Sequence, residues 1–433
     1  MRHAFARAGV VATLAFVLVA AGVAGAARAD DDRGRGGHHG KHHGKGHGKH
    51  HGRDTVRFST FNASLNRNNL GQLVTDLSTP NNTQAKVIAE IVQRARPDVL
   101  LINEFDFDVM GNALNLFQQN YLSIGQNGAQ PIVYPYRFTA ESNTGIPSGF
   151  DLNNNGMIAG PDDAFGFGFF PGQFGMAVYS KYPIKTKKIR TFQRFLWKDM
   201  PGARLPDDPA TPAAKDWYSP EELAVFRLSS KSHWDVPVKI GRKTVHFLTS
   251  HPTPPVFDGP EDRNGTRNFD EIRFWADYIS PGKKSRYIYD DKGKRGGLGG
   301  GKLFVIAGDQ NSDPFDGDSI PGSAQLLLEH PLVNARNAPT SEGAVQQSAL
   351  QGGANLTHEG DPKFDTADFA DGAPGNLRAD YVLPRKNMKI RDSAVFWPLN
   401  TDPLFPLAGV FPFPSSDHRL VWIDARVPGG DDD

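Results

Sequence analysis

The apolar run Leu303 to Ala307, continued as Gly308-Asp309-Gln310-Asn311-Ser312-Asp313, does most to limit what this chain can fold into. Leu-Phe-Val-Ile-Ala reads as a buried strand, and the glycine after it lets the chain turn and release polar side chains at the strand end. Asp309 and Asn311, two apart, can point the same way into one cleft. That pairing suits metal-assisted chemistry on phosphate. Asp309 can orient and deprotonate a water, and Asn311 can donate to an oxyanion without adding a repelling charge. Taken alone, Gly-Asp-x-Asn is also ordinary turn chemistry, and Asp313 reads only as a turn residue.

The same cadence recurs along the chain. Thr55 to Asn62 alternates like a half-buried strand and ends in an amide, either a metal-orienting ligand or a turn residue. Thr83 to Ala95 has Ala85, Ile88, Ile91 and Val92 on one helical face, and Arg96-Pro97-Asp98 stops it. The apolar strand Val99 to Glu104 follows, a helix-to-strand rhythm that marks an α/β fold. Ligands in such folds gather at strand ends, which makes Glu104 a candidate metal ligand. Gly175 to Ile184 is a further strand. Thr244 to Pro252 delivers His251 at a strand end, while His246 alternates with the apolar face and reads as structural. Arg378 to Leu383 carries Asp380, and Asp417-His418 precedes the last apolar strand. Strand ends bearing Asn, Glu, His, Asp/Asn and Asp/His are hard to explain as accident.

Other stretches carry separate expectations. Asp151 to Asp162 has calcium-loop spacing, with oxygen side chains at Asp151, Asn153 and Asn155, glycine next, the carbonyl of Met157, and a closing carboxylate at Asp162. Aspartate replaces the usual glutamate there, and the alternative is a plain Asn/Gly turn. Arg263 and Arg267, which lead into an amphipathic helix, could clamp phosphate oxygens or simply bond neighbouring loops. Phe195 to Tyr218 is a long aromatic insertion, either a site rim or a surface loop with its own apolar cluster. Asp290 to Gly301 reads as a flexible loop.

Charge limits the function classes. Formal charge is zero over 433 residues, but nine of the 48 basic and three of the 48 acidic residues precede Asp54, which leaves −6 for the remainder. Such a balance disfavours a module that lives by binding nucleic-acid backbone. Residues 1–29 read as a secretory signal peptide, with Arg2 and Arg7 before an apolar stretch and Ala27-Arg28-Ala29 at its end. No twin-arginine pair and no second membrane-spanning stretch are visible, so the expectation is a secreted or periplasmic protein without a stable membrane anchor. Residues 30–53 form a His/Gly/Lys-rich tail with seven of the 14 histidines, expected to be disordered and to act as a loose chelator or a cationic spacer. Residues 54–427 are expected to form one domain that bears these strand-end groups, and 428–433 an acidic tail. With no cysteine, stability rests on the core and on any structural metal.

As an ordered set, Thr-Phe-Asn, Asn-Glu, Met-Ala-Val-Tyr-Ser-Lys-Tyr-Pro-Ile, Ser-His-Pro, Gly-Asp-Gln-Asn, Arg-Ala-Asp-Tyr and Ser-Asp-His-Arg resemble the endonuclease/exonuclease/phosphatase superfamily. The resemblance spans Val56 to Ile423. It implies a four-layer α/β sandwich of two packed mixed sheets flanked by helices, the DNase I-like fold. It further implies Asn62 and Glu104 on a catalytic Mg²⁺ or Mn²⁺, with Asp417 on a second ion or a shared shell. Asp309 would activate water, Asn311 would hold the phosphate, and His418, oriented by Asp380, would contact or protonate it. His251 matches the histidine of the DNase and sphingomyelinase branches. Ser64 departs from the abasic-site repair branch, which carries an acid two residues after the Asn. The implied activity is hydrolysis of phosphate esters, on small or lipid-linked substrates or, alternatively, as a secreted nuclease on nucleic acid. A binding protein on the same scaffold is the third reading. No protein partner is predictable.

Overall fold

The computed structural model describes residues 55–429. Residues 1–29, read as a signal peptide, the His-rich stretch 30–53 and residues 430–433 lie outside the described residues. In chain order the strands are β1 (Thr55–Leu65), β2 (Val99–Phe105), β3 (Tyr136–Phe138), β4 (Met176–Ser180), β5 (Arg190–Thr191), β6 (His233–Ile240), β7 (Lys243–Ser250), β8 (Leu303–Asp309), β9 (Ala367–Asp368), β10 (Asn376–Leu377), β11 (Asp380–Pro384), β12 (Ile390–Val395) and β13 (Val421–Arg426).

They form a six-stranded sheet ordered β12-β13-β1-β2-β4-β3, a five-stranded sheet ordered β11-β8-β7-β6-β5, and the short pair β10-β9. Both large sheets are mixed, because β1 runs parallel to β2 and β7 to β8 while the other neighbours are antiparallel. Side-chain alternation turns this pairing into layers. Val56, Phe58, Val99, Leu101 and Val178 of the first sheet meet Trp234, Val236, Phe247, Val305 and Val382 of the second in one buried cluster. The opposite faces carry Phe61, Leu100, Ile102 and Tyr179, which pack on Ile88, Ile91 and Val92 of the helix Thr83–Ala95. On the second sheet, Leu248, Phe304, Ile306 and Leu383 pack on Ile272, Trp275 and Ile279 of the helix Arg263–Ile279. Strands buried on both faces need continuous apolar sequence, which is why Val99–Ile102 and Leu303–Ala307 show no alternation. The result is a four-layer α/β sandwich.

The helix Thr83–Ala95 starts where the Asn82 side chain accepts from the Ala85 amide, and ends where Arg96 turns left-handed at φ 55°. Two expectations change. Phe195 to Tyr218 keeps no private cluster: Phe195 and Trp197 join the outer core beside Phe274, and Trp197 Nε1 donates to Asp270 at 2.7 Å. Asp290 to Gly301, expected to be flexible, is tied to buried Arg190. That guanidinium donates to Asp290 Oδ2 at 2.7 Å, Lys294 O at 2.7 Å and Gly296 O at 2.8 Å. No described helix is long and apolar enough to cross a membrane.

Candidate active site

One edge of the sandwich collects the polar strand ends. The carboxyl ends of β1, β2, β7 and β8 carry Asn62, Glu104, His251 and Asp309, and the amino end of antiparallel β11 brings Asp380 opposite Asp309. The segment entering β13 adds Asp417 and His418. Gly308 makes this approach possible, since a Cβ there would lie 2.0 Å from Ser250 O on β7. Glu104 and Asn311, at φ 57° and 50°, hold left-handed backbone that non-glycine residues seldom adopt.

The side chains converge on one oxygen. Asp309 Oδ2 accepts from Asn62 Nδ2 at 3.0 Å, with His251 Nε2 at 3.3 Å and His418 Nε2 at 3.6 Å. Its Oδ1 accepts the Asn311 amide at 2.8 Å, and Asn311 Nδ2 donates to Pro252 O at 3.1 Å. Behind His418, Nδ1 donates to Asp380 Oδ2 at 2.8 Å, and Thr366 Oγ1 donates to the same oxygen at 2.9 Å. A carboxylate on one ring nitrogen fixes which nitrogen faces the cleft.

Burial and charge set the protonation of this group. Burial pushes the Asp309 carboxyl up to about 7, helped by Asp380 and opposed by His418 and Asn62. Burial works against the charged form of His418, but Asp380 and Asp309 outweigh it and hold the imidazolium well above its ordinary range. His251 goes the other way, held well below that range by burial, Lys231 and His418. The site therefore contains one neutral and one cationic imidazole around a carboxylate poised near neutrality.

Glu104 sits beside this trio. It accepts from Asn62 Nδ2 at 3.1 Å and from Asn66 Nδ2 at 2.8 Å. Burial and the charge of Asp417 both raise its carboxyl. Two acids near each other, with a carboxamide on Glu104, fit a hard divalent ion better than a soft metal. Asp380 Oδ1 is a buried oxygen without a partner. Asp309, Asp380 and His418 bring potential ligand atoms within 4.8 Å of one another, yet the His418–Asp380 hydrogen bond and the Asn62 and Asn311 donors on Asp309 already engage them.

Other expected residues sit differently. Arg267 is buried, with Nε on Leu228 O at 2.8 Å and Nη2 on Phe165 O at 2.5 Å and Arg227 O at 3.0 Å, so backbone carbonyls engage its guanidinium. Arg263 is bonded to Glu261 and to Phe257 O. In the candidate calcium loop, Asp151 accepts the amides of Asn155 at 3.0 Å and Gly156 at 2.7 Å, Asn153 accepts from Asn155 at 3.2 Å, and Asn155 from Met157 at 2.8 Å. Asp163, next to the expected Asp162, accepts the amides of Leu152 and Ala159, each at 2.8 Å. His246 is structural as expected, paired to Asp235 at 2.7 Å. Sequence reasoning missed Asn66 and Lys231; the latter lies just before β6, whose alternation Trp234, Val236, Val238, Ile240 was its available signal.

Two packed mixed sheets with carboxylates, amides and imidazoles gathered at one edge define a DNase I-like hydrolase of phosphoric esters. The model of the endonuclease/exonuclease/phosphatase family matches residues 59–418, and the chain belongs to that family. Its members work with divalent metal ions on phosphate-ester substrates. Similar solved structures include an endonuclease/exonuclease/phosphatase from Beutenbergia cavernae DSM 12333, 16% identical, covering 87% of this chain and 72% of that one with a TM-score of 0.48. Another is sphingomyelinase C from Streptomyces griseocarneus, 15% identical over 86% of this chain and 99% of that one, TM-score 0.41. A family protein from Leptotrichia buccalis C-1013-b is 13% identical over 86% and 100%, TM-score 0.42. No curated protein matches the chain.

Proposed function

We propose that this chain is an exported, Mg²⁺-dependent phosphoesterase that hydrolyses small or lipid-linked phosphate esters by in-line attack of water. The observation that carries the proposal is the convergence of Asn62, His251 and His418 on Asp309 Oδ2. A carboxyl raised to about 7 can take a proton from water near neutral pH. Asn62 and the two imidazoles fix its direction. The His418 imidazolium, steadied by Asp380, supplies positive charge and a proton to a phosphoryl oxygen. Neutral His251 offers Nε2–H to the same region, and Asn311 adds an amide donor. Asn62, Glu104 and Asp417 would hold Mg²⁺ or Mn²⁺, which when bound neutralises charge on the phosphate.

The net charge of −6 after residue 53 supports small or lipid-linked esters over polyanionic nucleic acid. The signal-like N-terminus supports export. We further propose Asp151, Asn153, Asn155, Met157 and Asp162 as a structural Ca²⁺ loop, supported by its spacing and by the amide bonds that keep it closed. Initial rates with Mg²⁺ on a chromogenic aryl phosphodiester, a phospholipid and plasmid DNA test the substrate reading. Turnover of the diester or lipid is expected, and cleavage of DNA alone overturns it.

A further inference from the structure

Lys231 stands in Ser230-Lys231-Ser232 just before β6, where the pairing of His233 with Ser250 sets it beside the end of β7 that leads to His251. It is only 7% exposed. A lysine hidden to this degree ordinarily meets a carboxylate or carbonyls, because a buried charge without partners is expensive. Here the ammonium makes no hydrogen bond and no ion pair among the described residues, and Nζ is not among the fully enclosed atoms. The pairing of β6 with β7 sets it at the strand end that leads to His251, with Glu104 and Asp309 near enough to act on its charge.

The carboxylates that act on it do so from beyond contact, and each is engaged with neutral donors. Glu271 accepts Ser230 N at 2.7 Å and Thr253 N at 2.7 Å. Glu104 is held by Asn62 and Asn66, and Asp309 by Asn62 and the Asn311 amide. The backbone is fixed on both sides of the side chain. Asn143 N donates to Lys231 O at 2.8 Å, and Gly166 packs so closely that a Cβ would lie 1.8 Å from Ser230 O. An ammonium with unengaged donors on a fixed backbone, beside Glu104 and Asp309, is suited to an anionic ligand.

We propose that Lys231 forms a phosphoryl-oxygen subsite, its ammonium taking a non-bridging oxygen of the phosphate ester that binds between Glu104, Asp309 and His251. This rests on the phosphoesterase reading and adds to it a fixed charge that needs no reorganisation as the reaction proceeds. The chain has no cysteine, so Lys231→Cys introduces a single thiol, and 2-bromoethylamine then restores an ammonium of nearly the same reach. Inorganic phosphate is titrated calorimetrically into the wild type, the variant and the aminoethylated variant, with and without Mg²⁺.

Phosphate affinity is expected to fall ~10- to 100-fold in Lys231→Cys, the weight of one charge-assisted hydrogen bond, and to return on aminoethylation. Equal affinity in wild type and variant overturns the subsite, as does loss that aminoethylation fails to reverse. Should the variant not fold, reductive methylation of the unaltered chain gives the answer. Phosphate slowing methylation at Lys231 supports the subsite, and an unchanged rate there overturns it. Failure of the wild type to turn over any phosphate ester would sink the phosphoesterase reading while phosphate binding still reports on Lys231.

Discussion

His233 gives a quantitative test of how the segment bearing Lys231 is held. Its ring is fully buried, 4.7 Å from the Phe274 ring centre and 5.1 Å from that of Trp275. Nε2 lies 2.9 Å from Glu271 O, which can only accept, so the proton sits on Nε2 and Ser229 Oγ donates to Nδ1 at 2.6 Å. Burial lowers its pKa from 6.5 to about 4. The unfolded chain therefore takes up a proton that the folded chain refuses. The stability this represents is fully present above 6.5 and lost as pH falls towards 4, amounting to about 3 kcal/mol in all and about 2.5 kcal/mol by about pH 4.5. His233→Gln keeps a donor for Glu271 O and an acceptor for Ser229 but cannot titrate. Urea denaturation of both chains at about pH 7.5 and about pH 4.5 should show the wild type losing about 2.5 kcal/mol more than the variant. Parallel losses in the two chains would refute this account of the buried imidazole.

Further outcomes follow from other contacts. Asp380→Asn removes the charge behind His418 and should lower kcat by ~10²- to 10³-fold while the far-ultraviolet circular dichroism stays unchanged; near-normal turnover would deny Asp380 its orienting role. Arg190→Met strands the buried Asp290 carboxylate and two carbonyls, so chemical denaturation should register a loss of ~3–5 kcal/mol. Added Ca²⁺ should raise the melting temperature of the wild type and leave Asp151→Ala unmoved. Identical responses would return that loop to a plain turn.

Much of this architecture is written locally. The helix Thr83–Ala95 and the strand Val99–Phe105 fall where periodicity and the Arg-Pro-Asp stop put them, because capping and burial are short-range properties of the chain. The polar strand ends were legible for the same reason, since a run that is apolar on both faces has to end where the layers end. What the sequence could not show was which of those ends meet on one oxygen: Asn62 and Asp309 lie 247 residues apart. Lys231 was hidden by its setting among serines, and β6 by Pro237, which ordinarily argues against a central strand. The sequence leaves the arginines of the helix start open between anion clamps and loop partners, and packing turns Arg267 into backbone carbonyls. Asp313 remains the turn residue it reads as, accepting the amides of Phe315, Asp316 and Arg378.

The central claim is that Asp309, held by Asn62, His251 and His418, is the water-handling group of a phosphoesterase. It is tested most directly by the Mg²⁺-supported initial rate on a chromogenic aryl phosphodiester for the wild type and for Asp309→Asn, which preserves shape but not basicity. The account predicts a measurable wild-type rate and a fall of ~10²- to 10⁴-fold in the variant with the fold intact. An Asp309→Asn chain that hydrolyses the ester at the wild-type rate would contradict it.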